Sequence, residues 1–259
     1  MYNKTMIYKS SYDLRNKIDA VLLAEHKKEK EGRISSGKLT ASILGDPLQW
    51  QVLKVLGAPT KPFDAYSLGV FARGKQVEDW IVGMMDAQQT QVEVNYRNCL
   101  GFVDAIVDGI PHEVKSVKNS KFARITQENK PQRGHVLQAC FYAMALKAEK
   151  FCIDYVATDD FRTMSFEIPT IEYSSEVDDI ISRFEAQMAS KTIPNFEAIE
   201  KWQATPEWNK YPNFAPQDTE QIDADGNRFI AKELHVNLEE QSIILFTQYE
   251  SNTHSSATV

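Results

Sequence analysis

The segment Gly101-Phe-Val-Asp104-Ala-Ile-Val-Asp108-Gly109-Ile-Pro-His-Glu113-Val-Lys115 constrains the fold more than any other part of this 259-residue chain. Apolar, β-branched runs flank Asp-Gly, which is the strongest short-range signal for a two-residue hairpin turn. With Asp108 and Gly109 in the turn, Val107 pairs with Ile110, Ile106 with Pro111, Ala105 with His112 and Asp104 with Glu113. Hydrogen-bonded and non-bonded pairs alternate from the turn, and 104/113 falls in the non-bonded class, where side chains come closest. Pro111 falls in the same class, so its missing N–H is not drawn from this ladder. Strand alternation then puts Lys115 on the same face as Glu113 and His112 on the other, in a structural role.

Two carboxylates directly opposite one another destabilise a hairpin by up to about 1 kcal/mol. An oxygen-seeking divalent cation between them reverses that sign, and Mg²⁺ is commonly held by one or two carboxylates plus phosphate and water. An Asp, a Glu and a Lys on one face therefore suit phosphodiester hydrolysis. A metal lowers the pKa of a bound water and screens the phosphate, while an ammonium orients that water or stabilises the developing charge. The competing interpretation of Asp-x8-Glu-x-Lys by itself is a surface hairpin whose lysine pairs with two acids.

Around the hairpin the periodicity alternates between helical and extended. Ser11 to Arg33 reads as a helix with Leu14, Ile18, Val21 and Leu22 on one face, and its charged run from Glu25 to Glu31 as a solvated face. Thr40 to Gly45 and Pro47 to Gly57 suggest two short helices, and 58–65 a Pro-punctuated loop. Leu68 to Asp86 is helical, with Glu78 at the edge of the buried stripe, where the alternative is an ordinary boundary glutamate paired with Lys75. Gln91 to Arg97 alternates as a strand. Lys115, Lys118, Lys121, Arg124, Lys130 and Arg133 stand against one acid, Glu128, between residues 115 and 135. They form either a phosphate-tracking arc or a solvated loop.

His135 to Leu146 is helical, with Val136, Leu137, Cys140, Phe141 and Met144 facing the core and Gln138, Tyr142 and His135 on a neighbouring stripe; His135 itself is read as a residue of the helix start, not a ligand. Two further strands, 151–158 and 163–168, turn around Asp159-Asp160, and an amphipathic helix follows from Ser174 to Ser190. The order is thus helix, three strands, helix, two strands, helix.

Four pieces occur in a fixed order: Gly74-Lys-Gln-Val-Glu78 on one helical stretch, Gly101-x-x-Asp104, Glu113-x-Lys115, and Gln138-Ala-Cys-Phe-Tyr142 on another. The series resembles the motifs of the RecB-like and CRISPR-associated-RecB-like exonuclease branch of the PD-(D/E)XK nuclease superfamily, which includes stand-alone phage exonucleases. The likeness spans about residues 35 to 190. It implies an α/β fold with a restriction-endonuclease-like core, a central mixed β-sheet flanked by helices. It also implies a metal-dependent DNA exonuclease of recombination, repair or phage DNA processing.

In site terms, the resemblance implies that Asp104, Glu113 and the Val114 carbonyl hold Mg²⁺, with Mn²⁺ as its substitute. Glu78 completes or bridges the metal site and Lys115 acts at the attacking water. Gln138 and Tyr142 contact the region of that lysine or the nucleic-acid end, and Lys118, Lys121, Arg124, Lys130 and Arg133 bind DNA. Relatives with an iron–sulfur cluster carry a cysteine before a proline such as Pro47 and three more after the core. Here Gly45-Asp46 precede Pro47 and 193–217 contain no cysteine, so no cluster is expected. Cys99, Cys140 and Cys152 read as small buried hydrophobes.

The expected organisation is an N-terminal helical segment (1–34), a nuclease core (35–192), and a Pro- and aromatic-rich appendage with a polar, disordered tail (193–259). Asp223 to Asn227 resembles the start of a calcium loop but lacks the terminal Glu, and reads as a hairpin turn. The net charge of −7 is unevenly spread, with 21 basic and 16 acidic residues in 1–149 against 8 and 20 in 150–259. The part that bears the motifs is the basic part, and attraction to phosphate follows the local field. Hydrophobic content of 42% is ordinary, and no apolar run reaches the length of a membrane span. The expected location is the cytoplasm of a bacterium or phage-infected host, without a membrane partner. Expected partners are DNA, a recombination or strand-annealing protein, and a second copy of the chain. Two other functions fit the same residues: a DNA-binding or assembly subunit that keeps the fold without cleavage, and a sequence-specific endonuclease.

Overall fold

The computed structural model describes residues 13–31, 37–55, 63–190, 220–222, 228–237 and 242–249. Its centre is a six-stranded mixed sheet built on the hairpin. β3 (Cys99–Val107) and β4 (Ile110–Val117) are antiparallel, with Val107 opposite Ile110, Ile106 opposite Pro111 and Ala105 opposite His112. Asp108 and Gly109 both have positive φ, 52° and 77°. These are the dihedral signs that a twisted two-residue turn demands.

β2 (Gln89–Tyr96) runs antiparallel along one edge of β3 from Cys99 to Ile106. The other edge of β3 is shared: the two-residue β1 (Leu39–Thr40) lies parallel to Cys99 and Leu100, and β4 takes over at Ala105. β4 pairs in parallel with β5 (Lys150–Ala157), which pairs antiparallel with β6 (Thr163–Pro169). A parallel neighbour needs a crossover, supplied here by α4 (Asn119–Glu128) and α5 (Arg133–Leu146).

Helices cover both faces. Residues 136–143 of α5 are all buried, because it packs on the sheet with one side and on α6 (Ser174–Ala189) and the 3₁₀ turn Ala41–Ile43 with others. Phe141, fully buried, contributes about 1.5–3 kcal/mol by leaving water. On the opposite face Val82 of α3 (Ala65–Val82) closes a smaller core over Ala105, Val114 and Val156. α1 (Leu14–Glu31) packs on α3, and α2 (Leu48–Val55) on α6. This is the mixed sheet flanked by helices that the motif series implies.

Several expectations are corrected. The helix read at Thr40 to Gly45 is the short strand β1 and a 3₁₀ turn, since three residues of 3₁₀ geometry bring Gly45 against α5. There a Cβ on Gly45 would lie 2.7 Å from Gly134 Cα, a crossing that side chains would prevent. The segment from 115 to 135 is not a loop throughout, because α4 occupies residues 119–128 and buries Phe122 and Ile125. Three further strands pair antiparallel in the C-terminal part: β7 (Glu220–Ile222), β8 (Arg228–Asn237) and β9 (Ser242–Tyr249). The turn expected at 223–227, the aromatic stretch 193–217, the tail from 251 and the boundary near 34 fall outside the described residues. Among the described residues no helix is long and apolar enough to cross a membrane.

Candidate active site

The site lies where β3 and β4 part. Beyond Ala105 and His112 the antiparallel ladder stops, so Asp104 and Glu113 are not the directly opposed pair expected from counting out of the turn. The cause is β5: from His112 onward β4 follows its parallel partner, and the hairpin opens into a fork. Asp104 closes the fork with its side chain, Oδ2 accepting the Val114 backbone N–H at 2.9 Å. On its other side Gln91 Nε2 donates to Asp104 Oδ1 at 3.3 Å. Gln91 itself has φ 51°, a left-handed conformation that costs a non-glycine residue about 1 kcal/mol or more and interrupts β2 beside Asp104.

Glu113 is 1% exposed, with Oε1 against the Lys115 ammonium. Its Oε2 accepts no hydrogen bond among the described residues. Burial pushes the Glu113 carboxyl up to about 8; Lys115 opposes the rise, and Asp104 and Glu78 add to it. Burial likewise raises Asp104 above the usual carboxylate range, against the Val114 N–H and Lys115, with Glu78 again adding. Burial works against the Lys115 ammonium, yet Glu113, Asp104 and Glu78 outweigh it and hold its pKa above the ordinary value. Three acids and one lysine thus act on one another across the fork, and the negative side is under-compensated.

Glu78 reaches the site from α3. Its Oε1 accepts both the Ser116 N–H at 3.0 Å and the Ser116 hydroxyl at 2.9 Å. Gly74, one turn earlier, makes the approach possible, because a Cβ there would lie 3.0 Å from Ser116 Oγ. The alternative pairing of Glu78 with Lys75 does not occur, since Lys75 pairs with Asp79 at 3.1 Å.

From the α5 side, Gln138 Nε2 donates to the Tyr142 hydroxyl at 2.7 Å, and both residues are buried. Burial, then the charge of Glu113, raises the Tyr142 phenol, so it stays protonated beside that carboxylate. Gly101 shapes this contact: a Cβ would sit 2.5 Å from Tyr142 Cε1 and 3.0 Å from both Ala41 and Phe141.

Ser116, Tyr155 and His135 are neighbours of the site that the motif series does not single out. Tyr155 pairs with Lys115 across β4 and β5, and its hydroxyl accepts the Gln132 N–H and meets His135 Nδ1, each at 2.9 Å. Burial, then Lys115 and Lys121, lowers His135 to about 3, leaving it neutral. The parallel pairing of β4 with β5 brings Tyr155 beside Lys115, and sequence periodicity does not encode that pairing.

The basic residues do not act as one set. Lys121 is close enough to Lys115 and Arg124 for its ammonium to be lowered, chiefly by burial and then by those charges. Lys118 lies over the Tyr66 ring, 6.0 Å from its centroid. Arg124 sits 4.0 Å from Glu128, and Arg133 Nε bonds Glu176 at 2.8 Å. Lys130 is exposed. His112, on the other face, bonds Asp154 through Nδ1 at 2.7 Å, in keeping with a structural role.

Among the described residues, no three His, Cys, Asp or Glu side chains gather as a ready cation cage. Two carboxylates and one carbonyl nonetheless fit Mg²⁺, which keeps several waters and rarely takes an all-protein shell. The orphaned Glu113 Oε2 and the raised carboxyls of Asp104 and Glu113 are the features a bound cation would relieve. The three cysteines are separately buried and free.

No family model matches the chain and no curated protein is similar to it. Among solved structures it is similar to LHK-Exo in complex with dAMP, at 15% identity and a TM-score of 0.48 over 73% of this chain and 96% of that one. It is also similar to the alkaline exonuclease LHK-Exo from Laribacter hongkongensis, at 14% identity and a TM-score of 0.48 over 73% and 98% of the two chains. A phage related exonuclease from Haemophilus somnus 129PT follows at 10% identity and a TM-score of 0.39, over 60% of this chain and 96% of that one.

Proposed function

We propose that the chain is a PD-(D/E)XK nuclease of the RecB-like exonuclease branch, hydrolysing phosphodiester bonds in DNA with Mg²⁺. The observation that carries this reading is the fork itself, where Asp104, Glu113 and Lys115 meet with one buried carboxylate oxygen unsatisfied. A hairpin serving only stability would not gather two carboxyls that burial raises around one ammonium that they hold charged.

Asp104, Glu113 and the Val114 carbonyl would hold Mg²⁺, with Glu78 next to them through Ser116. Bound there, the cation supplies a more acidic water and neutralises phosphate charge. Lys115 orients the attacking water by its ammonium and offsets the charge that builds on the phosphate oxygens. The water oxygen bonds to phosphorus, the bond to the leaving oxygen breaks, and the water's proton passes through solvent to that oxygen. Glu113 keeps Lys115 charged and in place. Tyr142, held by Gln138, stays protonated beside Glu113. No iron–sulfur cluster is part of this reading, because three scattered thiols cannot supply four ligands, and the purified protein should be colourless.

End-labelled linear DNA and covalently closed circles, digested with Mg²⁺ or with chelator, test the assignment. Exonuclease action predicts metal-dependent loss of linear DNA with circles intact. Cutting of circles would replace it with an endonuclease, and binding without any cutting with an assembly subunit. End-dependence, and with it recombination, repair or phage DNA processing, follows from the resemblance of the motif series to the RecB-like exonuclease branch.

A further inference from the structure

A groove of about 600 Å³ opens between α1, α3 and the start of α4. Arg15 of α1, Arg73 of α3 and Lys118 at the end of β4 line it, with Asp159 as the acid among its lining residues. Arg15 forms an exposed pair with Asp19, of a kind that contributes little in water. Arg73 and Lys118 have no carboxylate partner among the described residues. The ring of Tyr66, 61% exposed, lines the same groove, with the Lys118 ammonium 6.0 Å from its centroid. Asn119 and Ser120 add neutral hydrogen-bonding groups at the rim.

Exposed cations by themselves ask for phosphate, and an exposed aromatic ring asks for a flat apolar face. A single strand of nucleic acid presents both, because its bases are free to stack, whereas duplex bases already stack on one another. The groove also leads to the fork. Lys118 is three residues beyond Lys115, and on the facing wall Tyr66 precedes Glu78 by twelve residues of α3, about 18 Å at ~1.5 Å per residue.

We infer that this groove binds a single strand of nucleic acid, Tyr66 stacking on a base while Arg73 and Lys118 hold phosphates on either side. The inference rests on the nuclease reading for the direction of the strand, which runs from the fork along α3. Binding itself is a property of the groove.

The test is fluorescence anisotropy of a labelled oligothymidylate of about twelve nucleotides, single-stranded or annealed to its complement. The full chain is held in chelator so that nothing is hydrolysed. Tyr66→Ala should weaken single-strand binding at least about fivefold, and Tyr66→Trp should restore it. Arg73→Gln with Lys118→Gln should flatten the slope of log affinity against log salt by about 1.4, or about 0.7 per contact. Duplex affinity should change less than single-strand affinity in every variant. Unchanged strand binding by Tyr66→Ala, or an equal loss for duplex, would overturn the inference. A chain that binds the strand through Tyr66 yet hydrolyses nothing would contradict the catalytic reading alone. One that degrades DNA while Tyr66→Ala binds as the parent does would contradict the groove alone.

Discussion

At the scale of single residues, Asp104 does two things. Its Oδ2 takes the Val114 N–H that the parting strands leave without a ladder partner, and its charge, like that of Glu78, acts on buried Glu113. Asp104→Asn keeps the shape and removes the charge, and a neutral amide is a much weaker partner for a hard cation. Calorimetry on this variant should show Mg²⁺ binding lost, and parental affinity would count against the metal assignment. Gly101 makes a second residue-scale prediction. A methyl at this position would enter the ring of Tyr142, and overpacking a filled core costs about 1–3 kcal/mol. Gly101→Ala should therefore lower Tm by roughly 2–10 °C. An unchanged Tm would mean that Tyr142 moves freely. The glycine of the Gly-x-x-Asp motif was legible in the sequence, whereas its reason, a ring from a helix some forty residues later, was not.

At the scale of elements, the hairpin was read correctly up to Ala105 and His112 because turn chemistry is local. Its opening was missed because the parallel register of β4 with β5 depends on a crossover that local pattern does not specify. α4 is hard to read from the sequence for a related reason: it carries Lys121 and Arg124, and its buried apolar face is only Phe122 and Ile125. The Glu78 helix was found by periodicity, but the hydrogen bonds to Ser116 needed the packing of α3 on β4.

The β4–β5 pairing also carries the pair of His112 and Asp154. Burial pulls that imidazole down, but its hydrogen bond to Asp154, with Cys152, outweighs this and raises His112 from 6.5 to about 9. Its stabilising contribution is complete below about pH 6.5 and fades as pH rises through about 9. Glu113, also raised, slopes the same way at lower pH. Thermal melts between pH 6.5 and 9 should thus show Tm falling in the parent chain and falling less steeply in Asp154→Asn. Equal slopes would remove the pair from the account.

At the scale of the whole molecule, an acidic chain holds its cations where a polyanion would meet them. The net charge of −7 conceals a basic half, and within it Lys121 lies near Lys115 while Lys118 lies over the Tyr66 ring. Arg124 and Arg133, by contrast, sit beside Glu128 and Glu176. Composition alone pointed away from nucleic acid, and the distribution along the chain reversed that.

The central claim is that Lys115 acts on the reaction rather than on folding or binding, and one comparison tests it directly. Parent chain and Lys115→Ala are given the same end-labelled linear DNA with Mg²⁺, after anisotropy in chelator and thermal melts have established that both bind it and both are folded. Hydrolysis by Lys115→Ala should fall at least about a hundredfold, about 2.7 kcal/mol of transition-state stabilisation, while binding changes by less than about threefold. Near-parental turnover by the folded variant would contradict it.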